Sequence, residues 1–281
     1  MKHFFLFFLL YATFNVHSQV TVINTSMLNT PRETLDSAYL KISYSLQIVQ
    51  DVTKPEQTET DEMLLLAGKS ISQFFSYARF QADSLLRTLL PEQAIEAVKN
   101  QKRGKFSYDI YKNYPNGSIT TTDRIAMSDY KYEEPYEKQN WEIAEDTLNI
   151  LGYTCQKATC TFRGRNYIAW FTTDIPISNG PWKFTGLPGL ILNIADAQNH
   201  YIFECSGIEI PKDKLPIEIE KRNYAKVSKK EFNKVYERFL KDPIGFMSTA
   251  APNVKITMVN QDGTPAKNQT MPETPYNPIE K

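Results

Sequence analysis

The chain is poor in the side chains that most enzymes rely on. It has three histidines in 281 residues, and two of them, His3 and His17, fall in the first eighteen. His200 is the sole imidazole of the remainder. A Ser-His-Asp or Cys-His site would have to use it as the base, and a zinc site would need it together with thiolates or carboxylates. A lone histidine beside the Gln198-Asn199 turn reads instead as a surface residue. No H-E-x-x-H, G-x-S-x-G, C-x-x-C, Walker loop or G-x-G-x-x-G run occurs, so the frames of zincin, serine-hydrolase, dithiol, NTPase and dinucleotide chemistry are missing. No cofactor is expected. Gly186-Leu187-Pro188-Gly189 is not a phosphate cradle, because Pro188 has no amide to donate and a strand pattern follows rather than a helix.

Net charge is missing too. Thirty-two basic and thirty-two acidic residues cancel, which leaves no field to draw the chain onto nucleic acid or an anionic membrane surface. After residue 18 no stretch approaches the ~20 apolar residues of a membrane helix. Cysteine is scarce: Cys155, Cys160 and Cys205 are all there is, and an odd count leaves at least one thiol unpaired within the chain. Cys155 and Cys160 are five positions apart and face opposite sides of an unbroken strand, which disfavours pairing with each other. A bridge from Cys205 to either, or three buried thiols, both remain open.

What is present begins with an export signal. Lys2 and His3 precede the apolar run Phe4 to Phe14, which is too short to span a bilayer, and Val16-His17-Ser18 offers a small-residue exit before Gln19. No cysteine follows the run to carry a lipid. The expected mature chain is exported, with one β-rich domain over 19–250 and a Pro-rich, partly disordered tail over 251–281.

Alternation then dominates. Leu40, Ile42, Tyr44, Leu46 and Ile48 mark a half-buried strand within Ala38–Val49. Glu62–Ser76 reads as two strands turning near Gly68-Lys69. Ala78–Gln101 changes to helical character, with a second helical stretch allowed after Pro91. Lys105–Asp129 folds as a hairpin about Pro115-Asn116-Gly117. Strands are predicted at Asn140–Glu145, Gly152–Phe162, Tyr167–Thr173, Gly189–Ala195 and Tyr201–Ile208, an antiparallel meander. Ser228-Lys229-Lys230-Glu231 is a capping box, and Phe232, Val235, Tyr236, Phe239 and Leu240 form the apolar stripe of the helix it starts, which Asp242-Pro243 ends. Beyond it only Val254–Val259 alternates as a strand, and Gln261 onward reads as a mobile tail.

The most informative stretch is Trp170 to Leu192. Pro176 and Pro181 stiffen it, Gly180 and Gly186 permit conformations that other residues avoid, and Pro188-Gly189 turns into the apolar strand Leu190–Ile194. Its aromatics either fill the mouth or core of a curved sheet or line a cleft for an apolar or peptide-like ligand. Glu133-Glu134, Asp174 and Asp196 are the carboxylates nearest the block in sequence, and two carboxylates at a suitable separation could run glycoside hydrolysis.

Gly186-Leu187-Pro188-Gly189-Leu190-Ile191 resembles the hexapeptide that names the GLPGLI family of exported bacterial proteins. The resemblance extends to Gly152-Tyr153 with Cys155-Gln156-Lys157-Ala158, to Arg163-Gly164-Arg165, to Trp170-Phe171-Thr172 with Asp174-Ile175-Pro176, to Gly180-Pro181 before Lys183-Phe184, and to the terminal Asn277-Pro278-Ile279-Glu280. It covers most of Leu40 to Glu209. It implies a periplasmic, secreted or surface protein of a Gram-negative bacterium, with no activity assigned and no catalytic residues to carry over. Cys160 and Cys205 depart from the family pattern. Asp36-Ser37-Ala38, Asp83-Ser84-Leu85 and Asp146-Thr147-Leu148 look like the short Asp-Ser/Thr-aliphatic sites that some Gram-negative bacteria O-glycosylate outside the cytoplasm.

The expected fold is α+β with β dominant: a curved antiparallel sheet, or incomplete barrel, with covering helices near 78–101 and 229–241. One core should hold Leu40, Ile42, Tyr44, Trp170, Leu190, Leu192, Phe203 and the Phe232/Tyr236/Phe239 stripe. The leading functional expectation is a non-catalytic cell-envelope protein that binds an apolar small molecule or an envelope protein through Trp170, Trp182, Phe184, Leu187 and Pro188. The alternative is a hydrolase acting on glycan or peptide through acidic residues such as Asp174. Metal handling by Cys155, Cys160 and His200 is the weaker third reading. Nucleic acid is not an expected partner, and the oligomeric state is not legible.

Overall fold

Because alternation is the prevailing local pattern, the chain lays down strand after strand into a single sheet. The computed structural model describes residues 30–88, 93, 96, 97, 101, 104–250, 271 and 273–281. The segment read as an export signal, most of the stretch after Pro91 and the strand expected at Val254–Val259 lie outside the described residues. The first strands are β1 (Arg32–Ile48), β2 (Glu59–Gly68), β3 (Ser72–Ser76), β4 (Asp109–Lys112), β5 (Ser118–Ile125) and β6 (Ser128–Pro135). They continue as β7 (Glu142–Ile150), β8 (Tyr153–Phe162), β9 (Arg165–Thr172), β10 (Leu190–Asp196), β11 (Tyr201–Glu209), β12 (Leu215–Glu220) and β13 (Ala225–Lys226). The helices are α1 (Tyr77–Thr88), α2 (Lys229–Lys241) and α3 (Pro243–Ala250).

The spatial order is β13-β6-β5-β4-β3-β2-β1-β11-β10-β9-β8-β7, and β12 pairs with β1 off that path. Pairing is antiparallel except between β13 and β6. One edge of the long β1 pairs with β2, and the other serves two partners: its first half runs with β12 from Arg32↔Glu220 to Ala38↔Leu215, and its second half with β11 from Lys41↔Glu209 to Ile48↔Tyr201. One buried cluster unites Ile42, Met63, Phe74 and Ile110 from one side of the sheet with Ala169, Ile194, Phe203 and Cys205 from the other. A flat sheet could not bring these strands together, so the sheet is strongly curved. This is the β-dominant α+β architecture expected, with an open curved sheet and helices laid against it. Among the described residues no helix is long and apolar enough to cross a membrane.

The opposite face carries a second cluster in which Leu64, Leu66, Phe75, Ile217 and Ile219 meet Phe80 of α1. Contrary to the single core expected, the helical stripe does not join the main core. Phe232, with Val235, Tyr236 and Phe239, packs on Ile125 and Tyr132 as a separate cluster, because α2 leans on the β5–β6 edge of the sheet. Its capping box forms as read: Ser228 accepts from the Glu231 amide, and Glu231 accepts from Ser228. Pro243 opens α3 rather than only closing α2, since proline is tolerated in a first helical turn and the Asp242 carboxylate accepts from the Gly245 amide at 2.9 Å.

Two further expectations are revised. Cys155 and Cys160 both enter the main core, since the burial phase of β8 shifts between Cys155 and Ala158 where β7 loses register opposite. The segment read as a mobile tail ends docked: Asn277 is buried, and its side-chain amide donates to the Val49 carbonyl at 2.8 Å.

Candidate functional site

The aromatic block folds inward. From Thr173 to Gly189 the chain leaves β9, crosses the interior of the curved sheet and returns as β10. Gly189 is required there, because a Cβ would stand 1.9 Å from the Thr172 carbonyl oxygen. Gly186 has φ +99, a region that side chains disfavour. Trp182 has φ +48, a strained value for a bulky residue that persists only where packing fixes it. Hydrogen bonds do the rest. Thr185 receives Trp141 Nε1 on its carbonyl at 2.7 Å and donates its amide to Gln139 Oε1 at 2.7 Å. The Gly186 amide reaches Ser178 Oγ at 2.9 Å. Lys112, buried beneath, donates its ammonium to the carbonyls of Gly180 at 2.6 Å and Phe184 at 3.3 Å. Burial holds that amine down to about 7.

The five residues expected to form a binding surface are therefore not one surface. Trp182, Phe184 and Leu187 are core residues, with Phe184 fully buried. Trp170 lies half-buried on the outward face of β9, alternating with the inward Phe171, and Pro188 is exposed. Burial wins because a ring edge-on to Tyr167 at 4.7 Å and to Trp182 at 5.2 Å gains both apolar transfer and ring–ring contact.

The carboxylates near the block are also dispersed. Asp174 and Glu133 are exposed. Asp196 is buried against Arg165 at 2.8 Å, and Glu134 is tied to Arg163 and Lys183. His200 stands 3.4 Å from the Arg165 guanidinium. The cysteines are free and buried, and burial pushes their thiols up to about 11, 12 and 11 for Cys155, Cys160 and Cys205. They are therefore protonated and poor metal ligands at neutral pH. Among the described residues no group of three His, Cys, Asp or Glu side chains is placed to hold a metal ion.

Charge gathers elsewhere, in a groove that the sequence did not mark. Two adjoining hollows of about 180 and 250 Å³ share Arg79 and Asp83 of α1 and Glu220 of β12. A third, of about 120 Å³, shares Ser107 and Asp123 with the second and reaches Trp182 at its far wall. Arg79 donates to Asp109 at 3.0 Å and to the Ser107 carbonyl at 3.1 Å. Glu220 is gripped by Arg32 at 2.8 Å and Arg222 at 2.5 Å. Arg222 also lies 3.6 Å from Asp129, which pairs with Arg124 at 2.9 Å. Tyr111 donates to the Glu218 carbonyl at 2.8 Å. Burial pushes Asp109 up to about 6 against the opposing pull of Arg79. It pushes Asp123 to about 6 as well, against the Ser107 hydroxyl and Arg124 amide that it accepts. Glu220, despite burial, is held below the usual range by Arg79 and Arg222. Along with Tyr224 and Tyr132, this is a polar, aromatic-flanked groove suited to a ligand with many hydroxyl or amide groups.

The groove could not be assembled from the sequence because Arg79, Asp109 and Glu220 are far apart along the chain. The one local signal was Asp109 itself, an acid that opens the apolar strand Ile110-Tyr111.

Residues 109–234 match the family model described as N-glycanase peptide, N-terminal domain. The span includes Asp109, Asp123, Glu220 and Tyr224, and leaves out Arg32 and Arg79. Two solved structures of PNGF-II are similar to this chain. The one in the P21 space group aligns with TM-score 0.47 at 14% identity over 71% of this chain and 32% of that one. The one in the C2 space group aligns with TM-score 0.45 at 15% identity over 69% and 32%. The chain thus spans about a third of the length of those proteins. No curated protein matches it.

Proposed function

We propose that this chain is an exported cell-envelope protein of the GLPGLI type that binds a glycan or glycopeptide without converting it, in the groove between α1, β12 and the β4–β5 hairpin. The observation that carries this reading is the groove's lining, in which half-buried guanidinium groups and largely buried carboxylates stand beside tyrosines with their charges mutually neutralised. Such a wall offers fixed donors and acceptors to hydroxyl groups and ring faces to sugar rings without strongly attracting ions. The match of residues 109–234 to an N-glycanase N-terminal domain makes glycans the ligand class to test first. The buried block of Trp182, Phe184 and Leu187 serves this reading as the scaffold behind the groove's far end. Export is supported by the N-terminal charge, apolar run and small-residue exit, and a mature protein beginning at Gln19 would bear it out.

Binding is tested by native mass spectrometry against a panel of N-glycans and glycopeptides. Retention by the wild type, with about tenfold weaker retention by Tyr224→Ala and unchanged melting, supports the proposal. Equal retention by both proteins, or by neither, defeats it.

One observation favours a second, hydrolytic reading: Asp109 and Asp123 both sit at about 6, where a carboxylic acid can deliver a proton near neutral pH. That reading predicts turnover of the same panel that falls away as pH rises through about 6, lost in Asp123→Asn. Intact glycans after prolonged incubation would end it.

A further inference from the structure

Residues 276–281 form neither helix nor strand, yet they engage fully buried charges. Arg165 and Asp196 have no exposed side-chain surface and pair at 2.8 Å. Nη1 also reaches His200 Nδ1 at 3.4 Å, and the other donors of Arg165 go to the segment: Nη2 to Asn277 Oδ1 at 2.6 Å and to the Pro278 carbonyl at 2.5 Å, and Nε to the Ile279 carbonyl at 3.1 Å. Asn277 is read at both ends, since its Nδ2 donates to the Val49 carbonyl at 2.8 Å and its own carbonyl accepts from the Tyr201 hydroxyl at 2.5 Å. Glu280 then enters a nest of cations, with Lys183 and Arg163 each at 2.6 Å and Lys229 at 3.3 Å.

The receiving surface is organised without help from the segment. Arg165 is oriented by Asp196, which also accepts the Tyr201 amide at 2.7 Å, and its guanidinium lies over the Tyr201 ring at 5.0 Å. Lys183 and Arg163 are fixed by Glu134 of β6. With the segment withdrawn, Nη2 and Nε of Arg165 would lose their acceptors, and Lys183 and Arg163 would share Glu134 while Lys229 kept the Tyr132 hydroxyl. Such a surplus of fixed donors suits an incoming peptide that brings carbonyls and a carboxylate. A forked cation reading backbone carbonyls, one amide side chain read on both sides, a proline fixing the backbone, and a carboxylate held in a basic nest together make a mode of peptide recognition.

We infer that this surface is a peptide-binding site for Asn-Pro-aliphatic-Glu sequences, occupied here by the chain's own residues 277–280, and that another polypeptide carrying such a sequence can take their place. The site adjoins the far hollow of the proposed glycan groove, which Ile279 and Glu280 help to line, but its contacts use none of Arg79, Asp109 or Glu220, so it does not rest on the glycan reading. While the segment stays tethered its effective concentration is on the order of millimolar, so a free peptide competes poorly with it. Displacement would also be visible from inside the protein. Tyr276, Ile279 and Glu280 wall the small cavity that Trp182 lines, so their departure changes the surroundings of that indole.

The test keeps the full chain and cuts it after folding, at a specific protease site inserted between Ala250 and Met271. The probe is a labelled, end-blocked peptide Tyr-Asn-Pro-Ile-Glu-Lys. The inference predicts that the cut protein takes up one probe in exchange for its own segment, with a shift in Trp182 emission. Probes with Ala for Asn or Gln for Glu should bind about tenfold more weakly or worse, the scale of losing a charge-assisted hydrogen bond. A cut protein that never takes up the probe, whether it keeps or sheds its own segment, overturns the inference. A second comparison needs no cut: the uncut double variant Asn277→Ala/Glu280→Gln should capture the probe at least about tenfold more tightly than the wild type. Equal capture by the two folded proteins contradicts it.

Discussion

Phe184→Ala probes most sharply what the aromatic block does. The ring is fully buried, and Tyr167 at 4.7 Å, Trp182 at 5.2 Å, Phe162 at 6.0 Å, Trp141 at 6.4 Å and Phe203 at 6.5 Å surround it. These neighbours come from β8, β9, β11, the crossover loop and the segment before β7, so the ring sits where separate parts of the curved sheet meet. They cannot close over the gap, because Tyr167 is tied by its hydroxyl to the Ile279 carbonyl at 3.3 Å and Trp141 by its indole to Thr185. A truncation that leaves its cavity open costs about 3–5 kcal/mol, of which the edge-on ring contacts supply roughly 1 kcal/mol. For a chain of this size that is a fall in Tm on the order of 10 °C. Urea titration followed by near-ultraviolet circular dichroism should show a lower midpoint with an unchanged slope. Trp170→Ala, on the half-buried outward face of β9, should cost about 1 kcal/mol. If Phe184→Ala lost less than about 1 kcal/mol while abolishing ligand uptake, the ring would be facing a ligand and the reasoning would fail.

Other outcomes follow from the buried charges and thiols. Lys112, held down to about 7, carries no proton in the folded chain over a range where the unfolded chain still does. Wild-type stability relative to Lys112→Met should therefore climb between pH 7 and 10, by on the order of 4 kcal/mol, and a flat difference would contradict this. Glu280 is kept down at about 2, since Lys183, Lys229 and Arg163 outweigh its burial. Its contribution is complete above the ordinary carboxylate value and disappears as pH falls towards 2, so Glu280→Gln should cost about 3 kcal/mol at pH 7 and almost nothing at pH 2. The buried cysteines should react slowly with a thiol reagent in the folded protein, and all three should react after denaturation without reductant; fewer than three would reveal a disulfide. Ser37, Ser84 and Thr147 are all exposed, so the Asp-Ser/Thr-aliphatic tripeptides predict excess mass on protein taken from its native envelope, and a bare polypeptide mass would dismiss that modification.

The strands were legible where one face is buried and the other wet. β1, the β2–β3 turn, the β4–β5 hairpin and the run from β8 to β11 all follow alternation, and α2 announces itself through its capping box. What escaped was decided by long-range partners. β6 reads as SDYKYEEP, a charged run, and becomes a strand because β5 pairs with it along its whole length. β12 contains Pro216, a poor strand residue, tolerated here beside the outer half of β1. α3 carried a readable signal in Asp242-Pro243-Ile244-Gly245, an N-cap acid followed by an N1 proline, which was taken only as a stop. In the site, the sequence showed that Trp182 to Leu187 must be ordered, but order in a glycine- and proline-bracketed aromatic loop is equally consistent with core and with cleft. The curvature of the sheet decided for core. The groove was invisible for a different reason: α1, β4 and β12 supply one charged wall from positions more than a hundred residues apart at the extremes, and no periodicity encodes that meeting.

Amide hydrogen exchange on the protein with and without a bound glycan tests the central claim most directly, because it locates the ligand. The account predicts new protection at 107–109, 123–129 and 218–224, along the walls of the groove, and no change at 182–187, already sealed in the core. Protection that appeared at 182–187 while the groove stayed unchanged would contradict it and return the aromatic block to the role of ligand seat.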